Sequence, residues 1–329
     1  MIPNQWYVIL ESNEVKKSKP IGFTRMGEKI VAWRDGKGGL SVMSDLCPHR
    51  GVALSVGEIK GDCIQCPFHG FEYDISGACK LIPANGREAE PPKAMRVKTY
   101  PTREEHGFIY LWWGEPQNEY PPVPWFESIS EDMVYATLRD HWKCHYSRAI
   151  ENQLDVVHLP FIHHNTIGRG NRTLVNGPVT KEESKWDGDH LLNLWVYNET
   201  DNGQKPKKPS DMPEPTRHPS LQFRFPNVWQ NWIADSTRVT IAFVPIDDEN
   251  TMMYLRYYHA TRAPILRQLA GWMGNLANLV IERQDRRVVI TQQPKRSDLG
   301  LGEILISGDS PIVMYRKRRR MLIGAEKVT

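Results

Sequence analysis

The chain has 329 residues, 40% of them apolar and 25% charged, with a formal net charge of +3. This balance suits an ordinary globular protein and excludes a disordered or fibrous one. The charge is too small to argue for nucleic acid as a partner, and no apolar run approaches the length needed to cross a bilayer. The length allows two domains and a substantial buried core. The N-terminus, Met1-Ile2-Pro3-Asn4-Gln5-Trp6-Tyr7, lacks the basic-then-apolar pattern of a signal peptide. The expected setting is therefore the cytoplasm, with the five cysteines reduced. Some of the 11 tryptophans suit a pocket for a flat or apolar ligand, although core filling accounts for most of them.

From Pro20 to Ser44 the pattern is one of short strands, at residues 21–23, 30–33 and 40–43. Asp35-Gly36-Lys37-Gly38-Gly39 between the last two is a hairpin signal. Next come Cys47-Pro48-His49-Arg50-Gly51 and then Cys66-Pro67-Phe68-His69-Gly70, so the donors read Cys-x-His-x16-Cys-x2-His. A zinc finger groups Cys with Cys and His with His. Here each short loop supplies one thiolate and one imidazole, which suits a 2Fe–2S cluster with both cysteines on one iron and both histidines on the other. Pro48, Pro67, Gly51 and Gly70 are expected to hold the loops in tight turns whose backbone N–H groups reach sulfur. Another hairpin follows at residues 73–77, then closing strands at 95–100 and 107–113. The Pro-rich stretch 120–124 reads as a linker, which sets domains at 1–118 and 119–329.

In the second part, residues 134–140 read as a strand and 146–155 as a helix leading into Glu151 to His163. That stretch holds Asn152, Asp155, His158 and His163, and Pro160 between the histidines puts His158 near a helix end and His163 just beyond it. Two imidazoles and one carboxylate can hold a ferrous ion with positions left open. Strands at 191–197, 221–225, 238–245 and 252–260 suggest an antiparallel sheet, with a helix over 264–290 that starts at a proline. Residues 198–220 read as an exposed loop, with a lid over the substrate as one use. His259 and Asn231 could face a pocket among Phe223, Trp229 and Trp232, with core or surface placement as the alternative. Arg316 to Arg320 is a basic run of the kind that usually forms a solvated helix face, with docking of an acidic ferredoxin as the specific alternative.

The two Cys-His loops resemble, almost letter for letter, those of the Rieske non-heme iron oxygenases. Respiratory Rieske proteins carry a further cysteine where Phe68 stands, which disfavours that type, and Cys63, Cys79 and Cys144 read as ordinary buried thiols. The resemblance implies an α+β chain, with an all-β cluster domain followed by a helix-grip domain of antiparallel sheet and helices. It implies that Cys47, His49, Cys66 and His69 bind the cluster. The spacing Asn-x2-Asp-x2-His-x4-His of the second domain implies that His158 and His163 bind the mononuclear Fe(II). Asp155 then becomes a bridge between a cluster histidine of one subunit and an iron histidine of its neighbour, and Asn152 tunes access to the open site. The third ligand implied is Asp285, with Glu282 as the fallback; a surface salt bridge with nearby arginines is the plain alternative for Asp285, and a helix-surface charge for Glu282. Family members usually have an acidic residue where Gln284 stands.

The function implied is the terminal oxygenase of a multicomponent monooxygenase or oxidative demethylase. Electrons would come from NAD(P)H through a separate reductase, with a ferredoxin as the usual carrier, to act with O2 on a small organic substrate. The chain has no dinucleotide-binding glycine motif and no four-cysteine ferredoxin motif, so flavin and nicotinamide must be carried elsewhere. The length resembles the α-only members that form head-to-tail homotrimers. The alternatives are an aromatic ring-hydroxylating dioxygenase or a non-catalytic Rieske electron-transfer protein.

Overall fold

The computed structural model describes residues 1–167, 179–185, 190–197, 205, 207–261 and 263–324. It divides into two compact units, one of Asn4–Val123 with Pro245–Asp247, the other of Met1–Pro3, Pro124–Val244 and Asp248–Thr329. Among the described residues no helix is long and apolar enough to cross a membrane.

The first unit is built from short antiparallel strands, as expected from its frequent Gly and Pro breaks. They are β1 (Gln5–Glu11), β2 (Ile21–Arg25), β3 (Glu28–Arg34), β4 (Leu40–Ser44), β5 (Glu58–Lys60), β6 (Cys63–Gln65), β7 (Glu72–Asp74), β8 (Cys79–Leu81), β9 (Thr102–Glu105) and β10 (Phe108–Trp113). They form three sheets, ordered β1-β10-β9, β2-β3-β4 and β5-β6-β7-β8. The 35–39 hairpin joins β3 to β4, where Asp35 Oδ1 accepts from the Lys37 and Gly39 amides at 3.0 and 2.6 Å. Val31, Trp33, Met43, Leu54, Ile64 and Tyr73 fill the core beneath the Cys-His loops. Residues 95–100 do not form the expected strand. They make single bridges, Ala78 with Arg96 and Met43 with Thr99, to two different neighbours. No one partner runs beside them long enough to build a ladder, and Pro101 ends the stretch.

The second unit carries a seven-stranded antiparallel sheet of β11 (Val134–Trp142), β12 (Val179–Lys185), β13 (Leu191–Tyr197), β14 (Leu221–Arg224), β15 (Val228–Ala234), β16 (Thr237–Pro245) and β17 (Thr251–His259). Its order is β11-β17-β16-β15-β14-β13-β12. Two of these strands were not expected. β12 reads Val-Thr-Lys-Glu-Glu-Ser-Lys and is an edge strand, where charge is favoured because it blunts further pairing. β15 follows β14 after a three-residue turn, too close for the pattern to separate them.

Among the described residues four α-helices complete the unit: α1 (Tyr146–Leu154), the single turn α2 (Leu159–Ile162), α3 (Pro264–Val289) and α4 (Ser310–Gly324). Pro264 opens α3, where its missing N–H costs nothing. The helix lies close on β11 and β17 because of its glycines. A Cβ on Gly274 would stand 2.4 Å from the Tyr257 ring, so only Gly fits there. α4 packs through Tyr315, whose ring centroid lies 5.5 Å from those of both Phe223 and Phe225. Phe223 therefore belongs to the core, and Trp232 stacks on His218 at 3.8 Å.

The basic run at 316–320 is not a solvated face, because Arg316 and Arg319 are buried. Arg316 grips Glu151 of α1 with two bonds of 2.7 and 2.9 Å, and also reaches Glu303 at 2.5 Å. Arg148 contacts the same two carboxylates at 3.2 and 2.8 Å. Two arginines thus meet two glutamates, which is the pairing that lets buried charge persist. The two glutamates raise the Arg316 pKa against the opposing effect of burial, and Arg316 and Arg148 lower that of Glu303, again against burial. Lys317 and Arg320 remain exposed and Arg318 is half-buried, so only part of the run presents basic charge outward.

Candidate metal centres and cavity

The two Cys-His loops have the same backbone closure. In the first, Gly51 N donates to Cys47 O at 2.8 Å and Cys47 N to Val52 O at 2.9 Å. In the second, Gly70 N donates to Cys66 O at 3.0 Å and Cys66 N to Phe71 O at 2.8 Å. Both glycines sit at positive φ, +71° and +73°, a conformation that residues with a Cβ rarely adopt. Cys47 and Cys66 are buried, whereas His49 and His69 are exposed with ring centroids 4.8 Å apart. The four donors therefore converge with thiols inward and imidazoles outward. Burial pushes the Cys66 thiol up, while the Phe68 and His69 amides pull it the other way. Tyr73 Oη lies 3.2 Å from Cys47 Sγ. Two thiols with nearby N–H and O–H donors and two imidazoles fit a Rieske-type cluster. Of the remaining cysteines, Cys144 is buried, but Cys63 and Cys79 are only half-buried, being on short strands open on one side.

In the second unit the local chemistry of residues 145–166 presents the expected cluster. His145 Nδ1 caps α1 by accepting from Ser147 N at 3.2 Å. The helix ends at Asp155, whose backbone is extended and whose Oδ1 accepts from Val157 N at 2.7 Å. His158 does not end this helix. It caps the start of α2, with Pro160 in the first turn, and His163 follows the last residue of that turn. Asp285 comes from the buried side of α3.

His163 Nε2 lies 2.9 Å from Asp285 Oδ1, and His158 Nε2 lies 3.5 Å from the same oxygen. One ligand atom from each of the three residues falls within 4.8 Å of the others. Asp285 is 2% exposed and Oδ1 makes no hydrogen bond among the described residues, so a buried carboxyl oxygen is aimed at two imidazoles. Such a donor set fits a divalent metal with open positions. The arginine that neighbours Asp285 in sequence, Arg286, pairs instead with Asp140 at 2.5 Å. Burial lowers the proton affinity of His163, but Asp285 and then Gln284 outweigh it and raise its pKa.

These residues stand at one part of a cavity of about 920 Å³. Trp229, Leu221, Val239, Ile241 and Leu255 give it an apolar wall. Asn152 and Asn231 reach it; His259 and Phe223 are not on its wall. Asn152 Nδ2 is buried without a hydrogen-bond partner among the described residues. Asp155 Oδ2 lies 3.4 Å from His158 Nδ1, on the ring edge opposite the nitrogen that faces Asp285. Glu282 is no helix-surface charge. It is 3% exposed and lines the cavity, and burial, then Asp285 and Asp140, push its pKa well above the usual carboxylate range. It is outside the three-residue group that could hold a metal. The lid reading for 198–220 falls partly outside the described residues; of the rest, Arg217 and Ser220 line the cavity.

Two family models match, the Rieske 2Fe–2S domain over residues 5–101 and the vanillate O-demethylase oxygenase C-terminal domain over residues 142–325. The chain belongs to the Rieske non-heme iron oxygenases. Within them, its larger part is of the vanillate O-demethylase oxygenase C-terminal type. It is 30% identical over 200 residues to the iron-sulfur subunit of a toluene-4-sulfonate monooxygenase system from Comamonas testosteroni, covering 60% of this chain and 56% of that one. To the vanillate O-demethylase oxygenase subunit of Pseudomonas sp. (strain HR199 / DSM 7063) it is 30% identical over 193 residues, 57% of this chain and 51% of that subunit. The matched stretch thus spans about half the length of these relatives. Among solved structures, Pseudomonas putida CBB5 NdmA superposes with a TM-score of 0.76 at 20% identity, covering 98% of this chain and 91% of that one. Dicamba monooxygenase bound to dicamba gives 0.72 at 19%, with 100% and 99% covered. Both share the fold.

Proposed function

We propose that the chain is the terminal oxygenase of a multicomponent system that hydroxylates or oxidatively demethylates a small organic substrate. The observation that carries this reading is the convergence of His158, His163 and Asp285 on a cavity of about 920 Å³ that has an apolar wall. A bound ferrous ion supplies O2 activation there, and the cluster supplies electrons one at a time. His158, His163 and Asp285 would hold the metal. Trp229, Leu255 and Ile241 exclude water and press the apolar part of the substrate toward this end. Asn152 offers a free N–H beside the site.

Asp155 is assigned the link between centres. Its approach to the back of the His158 ring supports the role, since a carboxylate there fixes the tautomer and couples the imidazole to what lies beyond. In this reading it meets a cluster histidine of a neighbouring subunit in a homotrimer. NAD(P)H, through a reductase and a ferredoxin, provides the two electrons. For a methyl ether, substrate, O2, NAD(P)H and a proton give alcohol, formaldehyde, water and NAD(P)⁺. A cytoplasmic setting is part of the proposal and agrees with five free cysteines.

Aryl methyl ethers and N-methyl heterocycles supplied under 18O2 with a reductase and ferredoxin test the reaction type. Formaldehyde release supports it, and cis-diols carrying two labelled oxygens would replace it by dihydroxylation. Asp155→Asn tests the link: both centres should assemble while coupled turnover is lost. Loss of the mononuclear iron with transfer intact would make Asp155 a ligand instead.

A further inference from the structure

We propose that Gln284 is a positioning residue for His163, setting which ring nitrogen carries the proton and aiming the other at the metal position. The inference rests on reading His158, His163 and Asp285 as a metal site.

Two consecutive residues of α3 hold opposite edges of one imidazole. Asp285 Oδ1 lies 2.9 Å from Nε2, and Gln284 Oε1 lies 2.8 Å from Nδ1. Neighbouring residues on a helix point about 100° apart, so the pair can straddle a ring that neither could grip alone. An amide oxygen only accepts, so the proton of the neutral ring resides on Nδ1. Nε2 then presents a lone pair to a carboxylate oxygen. The lone pair and the carboxylate oxygen then face the same point, where one metal can take both.

Gln284 is itself held. Its Oε1 lies 3.0 Å from Thr166 Oγ1, and its Nε2 donates to Asn165 Oδ1 at 2.9 Å. Thr166 also returns to the histidine, its amide donating to His163 O at 2.9 Å and its hydroxyl lying 3.2 Å from the same oxygen. Side chain and backbone of His163 are thus tied to one small network. A ligand imidazole whose second nitrogen is held this way is more basic and better aimed, and losing such a partner typically costs about 10- to 100-fold in metal affinity.

The test is Fe(II) affinity of the full chain with its cluster intact, read by competition with a chromogenic chelator, alongside the melting temperature and the Co(II) ligand-field spectrum. Gln284→Leu should lose about 10- to 100-fold in affinity and alter the Co(II) spectrum. Gln284→Glu restores an acceptor and should bind at least as tightly as the wild type. Thr166→Val frees Gln284 and should give a smaller loss; it serves if Gln284→Leu does not fold. Wild-type affinity in both Gln284→Leu and Thr166→Val, or a Gln284→Glu as weak as Gln284→Leu, would overturn the proposal. A purely structural role would lower the melting temperature without rescue of affinity by Glu. If the metal-site reading itself is wrong, Asp285→Ala will bind Fe(II) as the wild type does, a result separable from any effect at Gln284.

Discussion

The two donor sets are built in opposite ways. The cluster loops are short, repeat one backbone plan, and complete themselves through their own glycines at 51 and 70. The candidate iron site takes two histidines from the α1–α2 segment and its carboxylate from α3, with α4 bracing α1 through Glu151. A site of the first kind depends on local turn chemistry, and one of the second kind on tertiary packing. Damage to one should therefore leave the other standing.

The largest separation is expected from Arg316→Leu. It strips Glu151 of its bidentate partner and leaves Arg148 alone to face two carboxylates, at a cost of about 3–5 kcal/mol. Chemical denaturation of the second unit should show the loss, and Fe(II) retention should fall with it, while the visible spectrum of the cluster stays unchanged in the folded protein. Equal loss of both centres would break the comparison. A smaller and opposite effect is expected from Gly70→Ala. A Cβ at φ +73° costs about 1–2 kcal/mol, and it would also crowd Pro83 Cγ at 3.1 Å. Cluster absorbance should bleach sooner on heating, with Fe(II) affinity of the other site unaffected.

The last effect concerns pH. Burial, then Arg319 and Arg296, lower the His145 pKa to about 3. Between that value and the unfolded value of about 6.5, the unfolded chain binds a proton that the folded one does not. Stability therefore falls as pH drops below about 6.5, by up to about 1.4 kcal/mol per pH unit from this group. Protonation also removes the acceptor that caps α1. Denaturation midpoints between pH 7 and 5 should flatten in His145→Gln, an expectation confined to the second unit.

The same contrast governs how much could be read before the structure. The cluster loops were legible because their function is written in adjacent letters, Cys-Pro-x-His-Gly and its twin, whose turn geometry Gly and Pro dictate. The α1–α2 histidines stood close together in the sequence, but only the family's spacing singled them out as ligands. Asp285 was reached only through family resemblance, since nothing local distinguishes it from Asp140, which pairs with an arginine. Glu282 and Arg316 were read as surface charges because charged helix residues usually are; each is buried by a partner or cavity that tertiary packing creates. Gln284 stood out as a departure from the family pattern, but its purpose depends on Thr166 and Asn165, which no periodicity brings to mind. β12 was missed for the opposite reason, since the charges that suit a sheet edge hide a strand.

One chain is expected to hold two separate iron centres. Iron and acid-labile sulfide per chain test it most directly, in the wild type and in Asp285→Ala. About three irons and two sulfides are expected for the wild type, falling to about two and two in Asp285→Ala with the cluster spectrum intact. Two irons in both proteins would contradict it.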